Sequence, residues 1–301
     1  MNIGIIGLGN MGIAIAHRLL DAGHTVIGYD PNSTACDNLA LMGGTAAPSP
    51  EAVCRQTQLI WLMVPVTTVD QILTTILQHL PQHSTIIDGG NSFYKDSIRR
   101  AQQCAQQQID FLDCGTSGGV YGGKHGFCLM VGGTTDAYRK AHSIFEALAT
   151  AQGMAHVGPS GTGHYVKMVH NGIEYGLLQA YTEGFQLLKE GTYKDQPLDL
   201  AAIAKLWNHG SIIRSFILQL THGILKDDQE LTSVVGSIEE LGTGQWTLQE
   251  AQTSQIPTPA LQEALRTRAW SRQTGGNYAT KLIALLRHTF GGHPIKKKDV
   301  A

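Results

Sequence analysis

The chain has 301 residues, 42% of them hydrophobic and 15% charged, which is long enough for two domains and leaves little room for extended disordered segments. A formal charge of −2 gives no long-range pull toward nucleic acid or an acidic membrane, and the one basic run, Lys296 to Lys298, reads as a solvated tail. The cysteines, Cys36, Cys54, Cys104, Cys114 and Cys128, are odd in number and lack metal-ligand spacing, so neither a disulfide framework nor a metal site is expected, and a reducing cytoplasm fits.

The first apolar run, Ile3 to Leu8, has no cationic segment before it and is broken by glycines, so a buried strand is expected rather than a signal peptide or membrane span. From Met1 to about Val157 short apolar runs alternate with helix-like stretches: Ile3–Ile6, Thr25–Tyr29, Leu59–Met63, Thr85–Asp88, Asp110–Leu112 and Phe127–Val131. That alternation predicts β-α-β units and a parallel, Rossmann-type sheet. After Gly158 the strand signals stop, and helices are predicted over Gly163–Glu190, Leu198–Asn208, Ile212–Leu225 and Thr258–Leu286, the last interrupted near Gly275. The expected architecture is an α/β domain over 1–158 and an all-α domain over 159–301, closely joined at the turn-rich Gly158-Pro159-Ser160-Gly161.

Gly7-Leu8-Gly9-Asn10-Met11-Gly12 follows the first predicted strand and opens a helix, the context in which a GxGxxG pattern binds a dinucleotide. Gly7 permits the tight turn, Gly9 lets the backbone approach a pyrophosphate, and Gly12 lets helix pack on strand, with the helix N-terminus facing the phosphates. Asp30 ends the second run, where a carboxylate can accept hydrogen bonds from the ribose hydroxyls. No lysine or arginine stands between Pro31 and Arg55. A 2′-phosphate would meet that carboxylate uncompensated, a repulsion on the order of 1–4 kcal/mol, so NAD is expected and NADP disfavoured.

Gly158-Pro-Ser-Gly161-Thr-Gly163-His-Tyr-Val-Lys167-Met-Val-His170-Asn171-Gly-Ile-Glu174-Tyr175 is the densest stretch of polar chemistry. On a helix Lys167, His170, Asn171 and Glu174 share one face. Such a stripe suits a solvated surface or a Lys/Glu helix pair, but a desolvated lysine can also have its pKa lowered enough to take a proton from a hydroxyl during hydride loss. Lys167 fits that role, and Glu174, about two turns on, fits proton exchange at another carbon of the same substrate.

Through these stretches the chain resembles 6-phosphogluconate dehydrogenase of the short-chain, NAD-preferring, decarboxylating type. The matching pieces are Gly7 to Gly12, Asp88-Gly-Gly-Asn91-Ser-Phe-Tyr94, Gly115-Thr-Ser117-Gly118-Gly119, Lys167 to Tyr175, Gly242-Thr243-Gly244-Gln245-Trp246-Thr247 and Arg287-His-Thr-Phe-Gly-Gly-His293. The resemblance implies oxidation of 6-phosphogluconate at C3, loss of CO2 and protonation of the enediol to ribulose 5-phosphate. It assigns proton transfer to Lys167 and Glu174, assisted by His170 and Asn171. It places Asn91, Ser117, Gly118 and Gly119 with the same helix around the sugar acid, and Tyr175, Thr243 and Arg268 at the phosphate. Leu8, Asn10, Met11, Val64 and Asn91 join the cofactor set. Arg287 and His293 are implied to complete a neighbouring subunit's site, so a homo-oligomer, dimer or tetramer, is expected, without nucleic-acid or membrane partners.

The chain also departs from the family. Longer members carry a lysine where this chain has Leu241, and they add a second helical repeat. A β-hydroxyacid dehydrogenase of the 3-hydroxyisobutyrate or tartronate semialdehyde reductase type is the alternative, similar in fold, in the Ser-Gly-Gly loop and in the lysine. Its members typically lack the Glu174-Tyr175 pair and the Gly-Thr-Gly-x-Trp segment.

Overall fold

Alternation within the first apolar run decides how the sheet is buried: Ile3 and Ile5 join one core cluster, and Ile6 joins the other. In the computed structural model, which describes residues 1–196, 198–240 and 242–298, this run is strand β1 (Asn2–Ile6). There follow α1 (Asn10–Asp21), β2 (Thr25–Tyr29), α2 (Ser33–Leu41), β3 (Thr45–Ala46), α3 (Pro50–Cys54), β4 (Leu59–Leu62), α4 (Val69–Leu77), β5 (Thr85–Asp88) and α5 (Tyr94–Ala105). Then come β6 (Asp110–Ser117), α6 (Gly119–His125), β7 (Phe127–Gly132), α7 (Thr135–Lys140), α8 (His142–Leu148) and β8 (Ala149–Gly158).

The strands form one sheet in the order β3-β2-β1-β4-β5-β6-β7-β8. Its first six strands have the doubly wound order whose ligand crevice lies beyond the carboxyl ends of the strands, where the order reverses beside β1. Trp61, Ile87 and Leu112 pack with α1 and α8 on one face, while Ile60, Leu62 and Ile86 pack with α3, α4 and Cys104 on the other.

The sheet is not wholly parallel, which corrects the sequence expectation. β7 runs antiparallel to β6, with Ser117 opposite Cys128. β3 and β8 are further strands that the apolar runs do not reveal.

The remaining elements are helical: α9 (Thr162–Glu190), α10 (Leu200–Trp207), α11 (Phe216–Asp227), α12 (Thr243–Thr253), α13 (Pro259–Thr274) and α14 (Tyr278–Gly291). The predicted Thr258–Leu286 helix is thus two helices, separated where Gly275 and Gly276 adopt positive φ. An Asn277/Thr280 capping box starts α14. α12 is an addition, and Leu241, the position of the missing family lysine, lies outside the described residues. The chain divides into two compact units, Met1–Lys167 and Met168–Ala301, and the division falls inside α9.

All five cysteines are free. Burial pushes the Cys54 and Cys104 thiols up to about 12 and raises that of Cys114 as well, whereas Cys128 is exposed. Among the described residues no helix is long and apolar enough to cross a membrane, and no group of three or more His, Cys, Asp or Glu is placed to hold a metal ion.

Candidate active site

Each glycine of the Gly7–Gly12 stretch, from the end of β1 into the first turn of α1, meets a different demand. Gly7 has φ +97°, and a Cβ there would lie 2.4 Å from the Met63 carbonyl oxygen. A Cβ on Gly12 would lie 2.0 Å from the Gly7 carbonyl oxygen, so the helix can approach the strand only without a side chain. At Gly9 the same position meets no protein atom within 4 Å. Gly9 is also the N-cap of α1, with no side chain capping the first turn, so Asn10, Met11 and the turn before them leave room and unpaired amides for an anion. Leu8 is buried, and its N–H is already taken, donating to Asp30 Oδ2 at 2.8 Å. Asp30 Oδ1 accepts from the Asn32 N–H at 2.9 Å. Each carboxylate oxygen therefore keeps a lone pair for a ribose hydroxyl. This turn fits a dinucleotide.

Val64 lines the same turn, its Cγ1 lying 3.0 Å from the Cβ position of Gly7. Beyond β5, the buried Asp88 accepts from the Gly90 N–H at 3.1 Å and the Ser92 hydroxyl at 2.7 Å, so the exposed Asn91 is held by both of its neighbours. Arg100, 1% exposed, closes the network by donating to Asp88, Ser92 and Asp70. Ser117 ends β6, and Gly118 and Gly119, with φ of +128° and +50°, turn the chain into α6.

On α9 Lys167, His170, Asn171 and Glu174 are all half-buried, between the buried line Met168, Tyr175 and Leu178 and the exposed line Val166, Ile173 and Leu177. The helix is continuous from Lys167 to Glu174, which sets them about 10 Å apart along its axis. His170 Nδ1 and Asn171 Oδ1 lie 3.1 Å apart. Gly115 lies beneath the Lys167 stem, since a Cβ there would fall 2.4 Å from Lys167 Cβ.

In the second unit α12 packs on α9 through missing side chains. A Cβ on Gly244 would lie 2.5 Å from the Tyr175 ring, and one on Gly172 would lie 2.7 Å from Thr247 Cγ2. Thr247 also donates its hydroxyl to the Met168 carbonyl at 2.8 Å. Tyr175 is 5% exposed; its hydroxyl interacts with Thr243 and donates to Glu240 Oε1 at 3.0 Å, and burial raises its pKa. Over its ring, at 3.3 Å, lies the Arg268 guanidinium, 1% exposed, with both terminal nitrogens lacking a partner among the described residues. Burial brings the Arg268 pKa down to about 10, which still leaves it charged at neutral pH. An unpaired buried cation is costly and ready-made for an anion.

Arg287 is also buried and donates to the Glu239 carbonyl at 2.7 Å. Burial, followed by the charges of Arg287, Arg268 and His288, lowers the His293 pKa to about 4. The structure therefore gathers Tyr175, Thr243, Arg268, Arg287 and His293 within one unit. Sequence reading missed Glu240, beside the Gly-Thr-Gly motif, and Asp113, whose signal is a charge inside the otherwise apolar Phe111-Leu-Asp-Cys114.

Residues 2–158 match the model of the NAD binding domain of 6-phosphogluconate dehydrogenase, and residues 163–286 match that of its C-terminal domain. A Haloferax volcanii protein named "6-phosphogluconate dehydrogenase, NAD(+)-dependent, decarboxylating" is 43% identical over 305 residues, which cover 99% of this chain and 100% of that protein. The solved Plasmodium falciparum 6-phosphogluconate dehydrogenase, described apo and in complex with NADP+ and with 6-phosphogluconate, superposes with TM-score 0.82 at 30% identity, over 91% of this chain and 62% of that one. Mycobacterium tuberculosis 3-hydroxyisobutyrate dehydrogenase superposes with TM-score 0.75 at 20% identity over 96% of this chain and 98% of that one, which shows a shared fold alone. With both halves matched and one relative similar along its entire length, the chain belongs to the 6-phosphogluconate dehydrogenase family.

Proposed function

We propose that this chain catalyses the NAD-dependent oxidative decarboxylation of 6-phosphogluconate to ribulose 5-phosphate and CO2, as a cytoplasmic enzyme of the pentose phosphate pathway and of gluconate utilisation. The observation that carries this reading is the half-buried face of α9, where Lys167, His170, Asn171 and Glu174 follow one another in a chain of this family. Residues 1–158 serve as the dinucleotide-binding domain, and residues 159–301 as the substrate-binding and oligomerisation domain.

The Gly7–Gly12 turn, Asp30, Val64 and Asn91 hold NAD, which when bound supplies the acceptor for the C3 hydride. Lys167, as the free amine, takes the C3 hydroxyl proton as the hydride leaves. As the ammonium it returns that proton to the keto oxygen while the carboxylate departs as CO2. Glu174, as the acid, protonates the carbon that lost CO2 while the enediol hydroxyl gives its proton back to the free amine of Lys167. Asn91, Ser117, Gly118, Gly119, His170 and Asn171 orient the sugar acid, and Tyr175, Thr243 and Arg268 take its phosphate. No metal is needed, because the amine supplies the acid and base function at the reacting oxygen. Asp30 favours NAD over NADP, as its carboxylate opposes a 2′-phosphate.

A substrate panel tests this: 6-phosphogluconate, gluconate and 3-hydroxyisobutyrate, each with NAD and NADP, followed for reduced cofactor and CO2. Equal amounts of NADH and CO2 from 6-phosphogluconate are expected. Reduction with 3-hydroxyisobutyrate and none with 6-phosphogluconate would transfer the chain to the β-hydroxyacid dehydrogenases, which so far share its fold alone.

The enzyme is further proposed to work as a homo-oligomer, dimer or tetramer, in which Arg287 and His293 complete a neighbour's site. Exposed apolar side chains in the second unit, among them Ile173, Leu187, Ile212 and Phe216, support association. A second reading, that the tail completes its own chain's pocket, is favoured by the charge of Arg268 acting on His293 of the same chain. Mixed oligomers of Lys167→Met and Arg287→Ala decide between them: recovered activity supports sharing, and verified mixed oligomers that stay silent support the second reading.

A further inference from the structure

Asp113 lies in the middle of strand β6 and is fully buried. A carboxylate there is unfavourable unless its oxygens are satisfied. Oδ1 accepts from the Gly161 N–H at 2.6 Å and Oδ2 from the His164 N–H at 2.9 Å. Both amides belong to the start of α9, where a helix leaves its N–H groups without internal partners and carries partial positive charge. Asp113 is thus a cap delivered from the sheet rather than from the preceding turn.

Three glycines set how close the two elements come. A Cβ on Gly132 would lie 2.7 Å from the Asp113 carboxylate, one on Gly163 would lie 2.2 Å from the Asp113 carbonyl oxygen, and one on Gly115 would strike Lys167 Cβ. Helix α5 grips the same turn from its own side. The Ser97 hydroxyl and His164 Nδ1 lie 2.7 Å apart, both residues buried, and the Tyr94 and Tyr165 rings meet edge-on at 5.1 Å. Since α5 begins directly after the Asn91 loop, the first turn of α9 is keyed both to β6 and to that loop.

We infer that Asp113 is a positioning residue for proton transfer by Lys167: its carboxylate seats the first turn of α9, and with it the lysine that follows within one helical turn. This role rests on Lys167 being the base. Asparagine keeps the size of Asp113 but offers one acceptor oxygen and turns an NH2 toward a helix N–H, so the turn must shift.

The test is single-turnover NADH formation with full-length Asp113→Asn. A rate at least tenfold below wild type is expected, with the NADH Kd from fluorescence titration within twofold and KM for 6-phosphogluconate within threefold. Leu73→Ala, which hollows the core at α4, measures what lost stability alone does to the rate and is expected to leave it within twofold. Lys167→Met secures the premise: if that variant turns over, the reading of the reaction falls whatever Asp113 does. With Lys167→Met silent, an Asp113→Asn rate within twofold of wild type overturns the inference, as does equal slowing in Leu73→Ala. Should Asp113→Asn fail to fold, Ser97→Ala decides: slowing of threefold or more at unchanged NADH affinity supports the inference, and an unchanged rate overturns it.

Discussion

The glycine-rich turn of the first unit and the Arg268 cluster of the second are both suited to an anion, and they are built in opposite ways. The turn offers backbone amides, empty space at Gly9 and one carboxylate already fixed by Leu8 and Asn32, with no cationic side chain taking part. The cluster offers a full charge with its terminal nitrogens unpaired, stacked on Tyr175 and shut from solvent. Ligand-free, the first costs the fold little. The second carries a burial cost that the Tyr175 ring and the nearby Glu240 and Glu174 offset only in part, and that an arriving anion would relieve further.

If that contrast holds, Arg268→Met should show the largest effect and two opposite signs. KM for 6-phosphogluconate should rise about a hundredfold, corresponding to about 3 kcal/mol of lost charge-assisted hydrogen bonding. The ligand-free protein should melt at a higher temperature than wild type. A lower Tm would mean that the guanidinium stabilises the fold, and the contrast would collapse.

The turn should separate into a folding glycine and a binding glycine. Gly12→Ala must displace the Gly7 carbonyl, an overpacking of about 1–3 kcal/mol that thermal unfolding would register. Gly9→Ala enters open space at a φ of −64°, so it should leave Tm unchanged while raising KM for NAD about tenfold. Equal loss of Tm in both variants would refute the division.

A smaller change is expected from Asp30→Ala, which removes the bond to Leu8 and the carboxylate proposed to bind the ribose. Relative to wild type, kcat/KM with NAD should fall about tenfold, the scale of one lost hydrogen bond, and NADP should gain ground. A native preference for NADP would end this account of Asp30.

The smallest effect is the pH response of His293. Its pKa of about 4 in the folded chain lies below its ordinary 6.5, so between those values the unfolded chain binds the extra proton. Stability should therefore fall as pH drops from about 6.5 toward 4, and His293→Gln should flatten part of that slope in urea titrations. An unchanged slope would place His293 in open solvent.

The same contrast explains what could be read from the sequence. Gly7, Gly9 and Gly12 report backbone needs directly through their spacing, and the strands Thr25–Tyr29 and Thr85–Asp88 lie where their apolar runs place them. Arg268 carries no local signal, because its meaning depends on a ring ninety-three positions earlier; only resemblance to the family pointed to it.

The reversed strand was hidden by Asp113 and Gly115, which make β6 look as if it ends at Leu112. With β6 running to Ser117, the link to Phe127 is too short for the dozen or more residues of a parallel crossover. β8 is half exposed along its length and so lacks an apolar run. α12 escaped because its first turn carries glycine and threonine where a helix pattern would show apolar residues.

The pairing of β6 with β7 also bears on how the protein can be watched. Directly opposed residues of an antiparallel pair project to the same side of the sheet, so exposed Cys128 is the cross-strand neighbour of Ser117. Cys54, Cys104 and Cys114 are buried with raised thiol pKa values and should react slowly, and Cys36 is half-buried with its thiol donating to the Asp30 carbonyl oxygen. A thiol-directed fluorophore on the native chain should therefore collect mainly at Cys128, beside the Ser-Gly-Gly turn, where it would report sugar-acid binding if that turn has the role proposed for it. The same exposure marks Cys128 as the cysteine where oxidant damage would first be felt.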